Sequence, residues 1–182
     1  MELKRYIHAP AHLFLPGAKY WVTGSAYKHR KYFKAERTKR KMLEILLIGC
    51  KKFNWQLEDW VILDDHYHLM LQSDPTGEKT IADLMNNFHK FSAMWIRKHY
   101  PRLKKVKHIF YNYWDVCITN EASYYARLNY LFYNPVKHGY VKKPEDYPFG
   151  SYYYRIKGQK DYMEELRRKY PFDRLDLESG LP

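Results

Sequence analysis

An α+β fold, with a mostly antiparallel sheet and helices on its faces, is what this 182-residue chain predicts. Three observations lead there. Strand-like runs rich in aromatic and β-branched residues alternate with long segments of helical periodicity. Two of the strand-like runs flank Asp64-Asp65, which reads as a tight turn. An apolar fraction of 46% provides for a packed core rather than a disordered chain. No linker, internal repeat or low-complexity tract divides the chain, so one domain is expected.

The elements follow in order. Residues 19–27, KYWVTGSAY, form a first strand. The basic stretch KHRKYFKAERTKRK opens a helix in its second half, running to about Phe53, with Met42, Leu43, Leu46, Leu47 and Cys50 on the buried side. Trp55–Leu63 and His66–Gln72 are the strands on either side of the turn. Alternation separates two faces of the second: Tyr67, Leu69 and Leu71 point to a core, while His66, His68, Met70 and Gln72 share the more polar face. Thr80–His99 is a helix, with Ile81, Leu84, Met85, Phe88, Phe91, Trp95 and Ile96 recurring at three- and four-residue steps. Thr80 is its N-cap, and Asp83 stands three residues later. A solvated basic loop follows, RKHYPRLKKVKH, then a strand or strand pair over Ile109–Thr119. Asn120 caps a helix from about Glu121 to Tyr133, which should stop near Asn134 because Pro135 follows. Gly139 and Pro144 punctuate the next stretch, and the aromatic, basic tail packs on the body in short pieces, with a helix over Tyr162–Tyr170.

Charge narrows the partners. Thirty-two Lys and Arg against twenty Asp and Glu leave a formal net charge of +12, which draws the protein toward polyanions, nucleic acid before an anionic membrane. Aromatics make up 18% of the chain, and mixed with cations they suit single-stranded nucleic acid: cations track phosphates and unstacked bases rest on rings. The same composition also fits a basic surface over a Tyr-rich core. Cys50 and Cys117 form no CxxC pair and no metal-ligand spacing, which points to a reducing compartment. MELKRYIHAP lacks the apolar run of a signal peptide, and the longest apolar stretch, ending at Cys50, is too short to span a bilayer. The expectation is a cytoplasmic, nucleoid-associated protein with no membrane partner.

Two clusters carry chemistry. In His66-Tyr67-His68, alternate strand residues project to one side, so both imidazoles can reach one point, and neutral imidazole is a common metal ligand. Two satisfied or exposed strand histidines fit the spacing as well. In the helix before Pro135, Tyr125, Leu128 and Phe132 form an apolar stripe, and Ser123, Arg127, Tyr130 and Asn134 fall together on the other side. A Tyr hydroxyl beside an amide and a guanidinium suits phosphate chemistry; an ordinary surface Tyr on an amphipathic helix fits the spacing too.

Several segments together resemble the REP-associated tyrosine transposases, relatives of the single-tyrosine insertion-sequence transposases. RLNYLFYNPVKHGYV resembles their signature around NPVKHG, WVILDDHYHLMLQS their HUH motif (His-hydrophobic-His), PGAKYWVT their first strand, and YPFGSYYYRIKG their C-terminal motif. The resemblance covers about residues 16–158, in order, so that 1–182 reads as a single catalytic domain with a basic aromatic tail over 159–182. It implies a ferredoxin-like or RRM-like sheet of the HUH endonuclease type, with Tyr130 as nucleophile and His66, His68 and Asn134 as ligands of Mg²⁺ or Mn²⁺. Implied with these are a covalent 5′-phosphotyrosine intermediate, a free 3′ hydroxyl, and single-stranded DNA at hairpin-forming palindromic repeats as substrate. Arg127, Lys137, His138 and Trp114 are candidate DNA contacts; solvated surface charge fits Arg127 and Lys137 as well. Some relatives place the Tyr helix of one subunit in the other's site, so monomer and homodimer are both open.

The chain departs from the family pattern at two places. Asp64 stands where Pro commonly precedes the acidic residue before the first His, and Tyr111-Asn112-Tyr113-Trp114 stands where Arg-Phe-Trp is usual, which removes one expected DNA contact. A protein that binds single-stranded DNA or RNA on the same fold without cutting is the main alternative. A metal-dependent hydrolase of small substrates would leave the charge unused.

Overall fold

The computed structural model describes residues 15–76, 80–156 and 168–171. Its elements run β1 (Lys19–Ala26), α1 (Glu36–Lys52), β2 (Gln56–Ile62), β3 (His66–Gln72), α2 (Ile81–His99), β4 (Phe110–Ile118), α3 (Glu121–Lys137) and a single turn α4 (Tyr152–Arg155). The strands form one antiparallel sheet in the order β2-β3-β1-β4. The expected α+β architecture and each expected strand are therefore present.

Period-two alternation divides the sheet into two faces. Tyr20, Val22, Tyr67, Leu69 and Leu71 point to one, where α1 and α2 cover them with Met42, Leu46, Leu84, Met85 and Phe88. Trp21, Val61 and Met70 point to the other, packed against Leu128, Leu131 and Phe132 of α3 and against Tyr147, Phe149 and Tyr152. Gly24 is required by the first face. A Cβ there would run into the ring of Tyr67, whose hydroxyl reaches His89 Nε2 at 2.6 Å. No helix among the described residues is long and apolar enough to cross a membrane.

Helix starts follow the sequence closely. Thr80 and Asp83 form a reciprocal capping box, and the Asn120 side chain accepts from Ser123 N at 2.8 Å. Two residues placed in the apolar stripes are misplaced. Leu47 is 50% exposed and Phe91 45% exposed, while Ile45, Ser92 and Ala93 turn inward. At about 100° per residue Leu47 lies beyond the arc centred on Met42 and Leu46, and Phe91 falls at the rim of its own.

The end of α3 also differs from expectation. The helix runs through Pro135 to Lys137 instead of stopping at Asn134. Pro135 lies so near the C-terminus that it removes only one intrahelical donor. The turn then closes through Asn134 O, which accepts from His138 N at 3.0 Å, and Pro135 O, which accepts from Tyr140 N at 2.9 Å. Nor is the Tyr130 side of α3 a solvent face: Tyr130 and Asn134 are both buried, because that side lies on the sheet.

The segment after α3 closes over β2. Phe149 O accepts from Ile62 N at 2.9 Å, and Ser151 N donates to Trp60 O at 2.8 Å, so this piece pairs along the β2 edge. Buried Asp59 holds it there, accepting from Ser151 Oγ at 2.7 Å and pairing with Arg155 Nε at 3.0 Å. Tyr170 stacks on Tyr125 at 4.9 Å, as a tail packed on the body would. Most of the expected helix over Tyr162–Tyr170 lies outside the described residues.

Candidate active site

The site forms where β3 and α3 cross. Sheet register brings Thr23 of β1 beside His68 on one side and beside Trp114 of β4 on the other, with Ser25 beside His66. Helix α3 lies across this face, and one turn separates Tyr130 from Asn134. The result joins residues that spacing alone leaves apart. His66 Nε2 is 3.3 Å from Asn134 Oδ1. The His66 and His68 rings are 5.2 Å apart, and the Tyr130 ring meets His68 edge-on at 5.2 Å.

Each imidazole is held by its other nitrogen. His68 Nδ1 is 2.6 Å from Thr23 Oγ1, and the ring stacks on Trp21 at 5.0 Å. With Nδ1–H given to the hydroxyl, Nε2 keeps its lone pair; that atom is buried without a hydrogen-bond partner. His66 Nδ1 is 2.7 Å from Asp65 Oδ1, so its Nε2 lone pair faces Asn134 Oδ1 with the amide oriented as here. Asn134 Nδ2 is likewise buried and unpartnered. Two imidazole rings 5.2 Å apart, with an amide oxygen 3.3 Å from one of them, form a donor set that suits a hard or borderline divalent cation. No cluster of three His, Cys, Asp or Glu that could hold an ion occurs among the described residues.

Electrostatics agree with this donor set. Burial, reinforced by His66, His138 and Lys137, holds His68 well below the usual histidine range, so the ring is neutral. Burial alone would raise the Asp65 carboxyl; the hydrogen bond from His66, with the electrostatic effect of the surrounding imidazoles, brings it below its ordinary value. It is therefore the ionised acceptor that orients His66.

The remaining candidates take different places. Lys137 Nζ sits 5.0 Å over the Tyr130 ring, and exposed His138 packs its ring 4.8 Å from His66. Arg127 is half-buried, bonded through Nη1 to Ser123, with its Nε unpartnered; burial lowers its pKa. It is not a freely solvated charge. Trp114 is half-buried on the same face as His68, separated from it by β1. Sequence reading missed Thr23, Trp21, Asp65 and His29, whose Nδ1 lies 3.8 Å from Asp65 Oδ2. Alternation puts Trp21 and Thr23 on one face of β1, but their place beside His68 depends on strand register, which spacing does not reveal. Asp64, in place of the usual Pro, accepts from buried Lys39 Nζ at 2.7 Å beneath Tyr140, Tyr147 and Phe149.

Residues 17–132 match the family model described as Transposase IS200 like, well over half the chain. The chain belongs to the IS200-like transposase family. This transposase is 28% identical over 140 residues to the REP-associated tyrosine transposase of Escherichia coli (strain K12), covering 75% of this chain and 73% of that one. Its fold is similar to a solved structure of the REP-associated tyrosine transposase bound to a REP hairpin, with a TM-score of 0.62, 20% identity, and coverage of 96% of this chain and 91% of that one. It is also similar, at a TM-score of 0.51 and 15% identity, to tRNA(His) guanylyltransferase from Saccharomyces cerevisiae, covering 87% and 73% of the two chains. That likeness concerns the fold alone, which hosts unrelated chemistries.

Proposed function

We propose that this IS200-like transposase, acting as one catalytic domain, cuts and rejoins single-stranded DNA beside palindromic repeat hairpins through a covalent bond to Tyr130. The observation that carries the reading is the convergence of His66 Nε2, the unpartnered His68 Nε2 and Asn134 Oδ1, with the Tyr130 ring against His68. The similar protein solved with a REP hairpin supports the substrate class.

His66, His68 and Asn134 would hold Mg²⁺ or Mn²⁺, which supplies charge neutralisation at the scissile phosphate. Tyr130 Oη attacks phosphorus. The Oη–P bond forms, the P–O3′ bond breaks, and the 3′ oxygen leaves as a hydroxyl after taking a proton; the phenol proton passes to solvent or a neighbouring group. The 5′ phosphate stays on Tyr130, so a later 3′ hydroxyl can reverse the step on another strand. Trp21 and His68 confine the phenol ring. Lys137 adds positive charge beside that ring. Arg127, His138 and Trp114 contact the strand on either side of the scissile bond.

The test uses a labelled single strand carrying a repeat hairpin, with Mg²⁺ or Mn²⁺. Wild type should form a protein–DNA adduct that survives denaturing gels. Tyr130→Phe, which keeps the buried ring, should form none while melting like wild type. Equal adduct from Tyr130→Phe, or none from wild type on any hairpin-bearing strand, would sink the reading and leave a binding protein that does not cut.

A further inference from the structure

His66 opens β3 and Asn134 sits in the last turn of α3, so nothing local in sequence fixes the 3.3 Å between His66 Nε2 and Asn134 Oδ1. A donor set serves an ion only when its spacing is held by the residues around it. On the α3 side the chain closes in a Schellman turn. Gly139, with φ 71°, reverses the backbone; its N donates to Val136 O at 3.0 Å, and Tyr140 N donates to Pro135 O at 2.9 Å. Asn134 O accepts from His138 N at 3.0 Å, so Asn134 and Tyr140 belong to one hydrogen-bonded turn.

From that turn, half-buried Tyr140 reaches the turn between β2 and β3. Its hydroxyl makes hydrogen bonds with Asp64, at both the backbone and the carboxylate. Asp64 is fixed on its other sides. Its carbonyl oxygen accepts from Phe33 N at 2.9 Å, and its carboxylate accepts from buried Lys39 Nζ at 2.7 Å. Lys39 Nζ in turn lies 5.8 Å over the Tyr140 ring. The next residue, Asp65, accepts through its carbonyl oxygen from Ala26 N at 2.6 Å, and its carboxylate lies 2.7 Å from His66 Nδ1. The contacts close a ring that runs from Asn134 through Tyr140, Asp64 and Asp65 to His66 and back. Apart from the His66–Asn134 contact itself, Tyr140 to Asp64 is the link in this ring that joins residues distant in sequence. Proline, common in the family at position 64, has neither an N–H nor a carboxylate to offer, so the link belongs to this chain.

We propose that Tyr140 is a positioning residue: through Asp64 it sets the distance between His66 and Asn134, and with it the fit of the donor set to an ion. The effect on an ion rests on the function proposed above; the link between the two turns stands on the contacts alone.

Two variants of the full chain separate positioning from stability. Tyr140→Phe removes the hydroxyl and keeps the ring beside Lys39, which still pairs with Asp64. Tyr147→Phe removes a neighbouring buried hydroxyl that donates to Ile62 O at 2.8 Å. Mn²⁺ binding is measured by titration calorimetry without DNA, beside thermal melting. Tyr140→Phe should weaken Mn²⁺ binding about tenfold, as loss of a group that orients a ligand does, with a melting temperature near wild type. Tyr147→Phe should lower the melting temperature and change Mn²⁺ affinity less than about twofold. Affinity within about twofold of wild type in Tyr140→Phe, or an equal loss in both variants, would overturn the proposal. In the metal-free protein, the NMR resonances of the His66 ring and of the Asn134 side-chain amide should both shift in Tyr140→Phe and hold in Tyr147→Phe. If wild type bound no Mn²⁺, the function proposed above would lose its metal, and these resonances would decide the link by themselves: shifts at both residues support it, and unmoved signals overturn it.

Discussion

Thr23 and Asp65 illustrate what one residue does for its neighbour. Neither is among the proposed ligands, yet each holds the far nitrogen of an imidazole whose near nitrogen must keep a lone pair. Thr23→Val should lower Mn²⁺ affinity about 10- to 100-fold with little change in the melting profile, read by titration calorimetry. Unchanged affinity would mean that burial alone orients His68. Asp64 is the structural counterpart. It and Lys39 have side chains only 8% and 5% exposed, so removing one leaves a buried charge without its partner. Asp64→Ala should cost about 3–5 kcal/mol in denaturant unfolding, whereas Lys39→Met/Asp64→Leu should recover most of it. At this scale the sequence was informative about residue types and silent about partners. His66, His68, Tyr130 and Asn134 could be named from spacing and family likeness. Thr23 could not, because its role exists only after β1 pairs with β3.

At the scale of elements, local rules predicted the starts of helices and were overruled at one end. Thr80 and Asn120 cap where their side chains say they should. Pro135 should have ended α3, but burial of Leu131, Phe132 and Pro135 against the sheet and the segment after it outweighs one lost hydrogen bond. The continued helix keeps Asn134 in register with Tyr130. Strand β1 carries a comparable constraint at Gly24, where the Tyr67 ring occupies the space of a Cβ. Gly24→Ala should destabilise the protein by about 1–3 kcal/mol, because the ring must shift within a close-packed core. A melting temperature equal to wild type would show that the ring has room to move.

Across the whole molecule, the sheet is a partition. Helices α1 and α2 cover one side, and α3 with the segment after it covers the other, the side that His66 and His68 face. This division was legible from the alternation in β3, whereas the return of the chain along β2 was not, since nothing in YPFGSYYYR announces its pairing partner. Asp59 makes that return sensitive to pH. Burial pushes its carboxyl up to about 6, against the opposing effect of Arg155 and Ser151. The folded state therefore holds that proton more tightly than the unfolded chain. The associated stability is fully present below about pH 4 and is lost as pH rises through 6, amounting to about 3 kcal/mol. His89, held down near 3 by burial, acts in the opposite sense over much of the same range. The informative quantity is thus a difference: Asp59→Asn should gain stability relative to wild type between pH 4 and 7, measured by urea unfolding. A constant difference across that window would assign the carboxyl no change of state.

Strand β3 writes two messages on alternate letters: His66 and His68 face one side, Tyr67, Leu69 and Leu71 the other. A one-residue slip of β3 against β1 and β2 would exchange them, sending imidazoles into the core and rings to the opposite face. A point substitution of either histidine thus alters the polar face and leaves the core face intact, whereas a slip of register disrupts both. Descendants that had lost activity would keep this strand's length and phase long after its histidines had drifted.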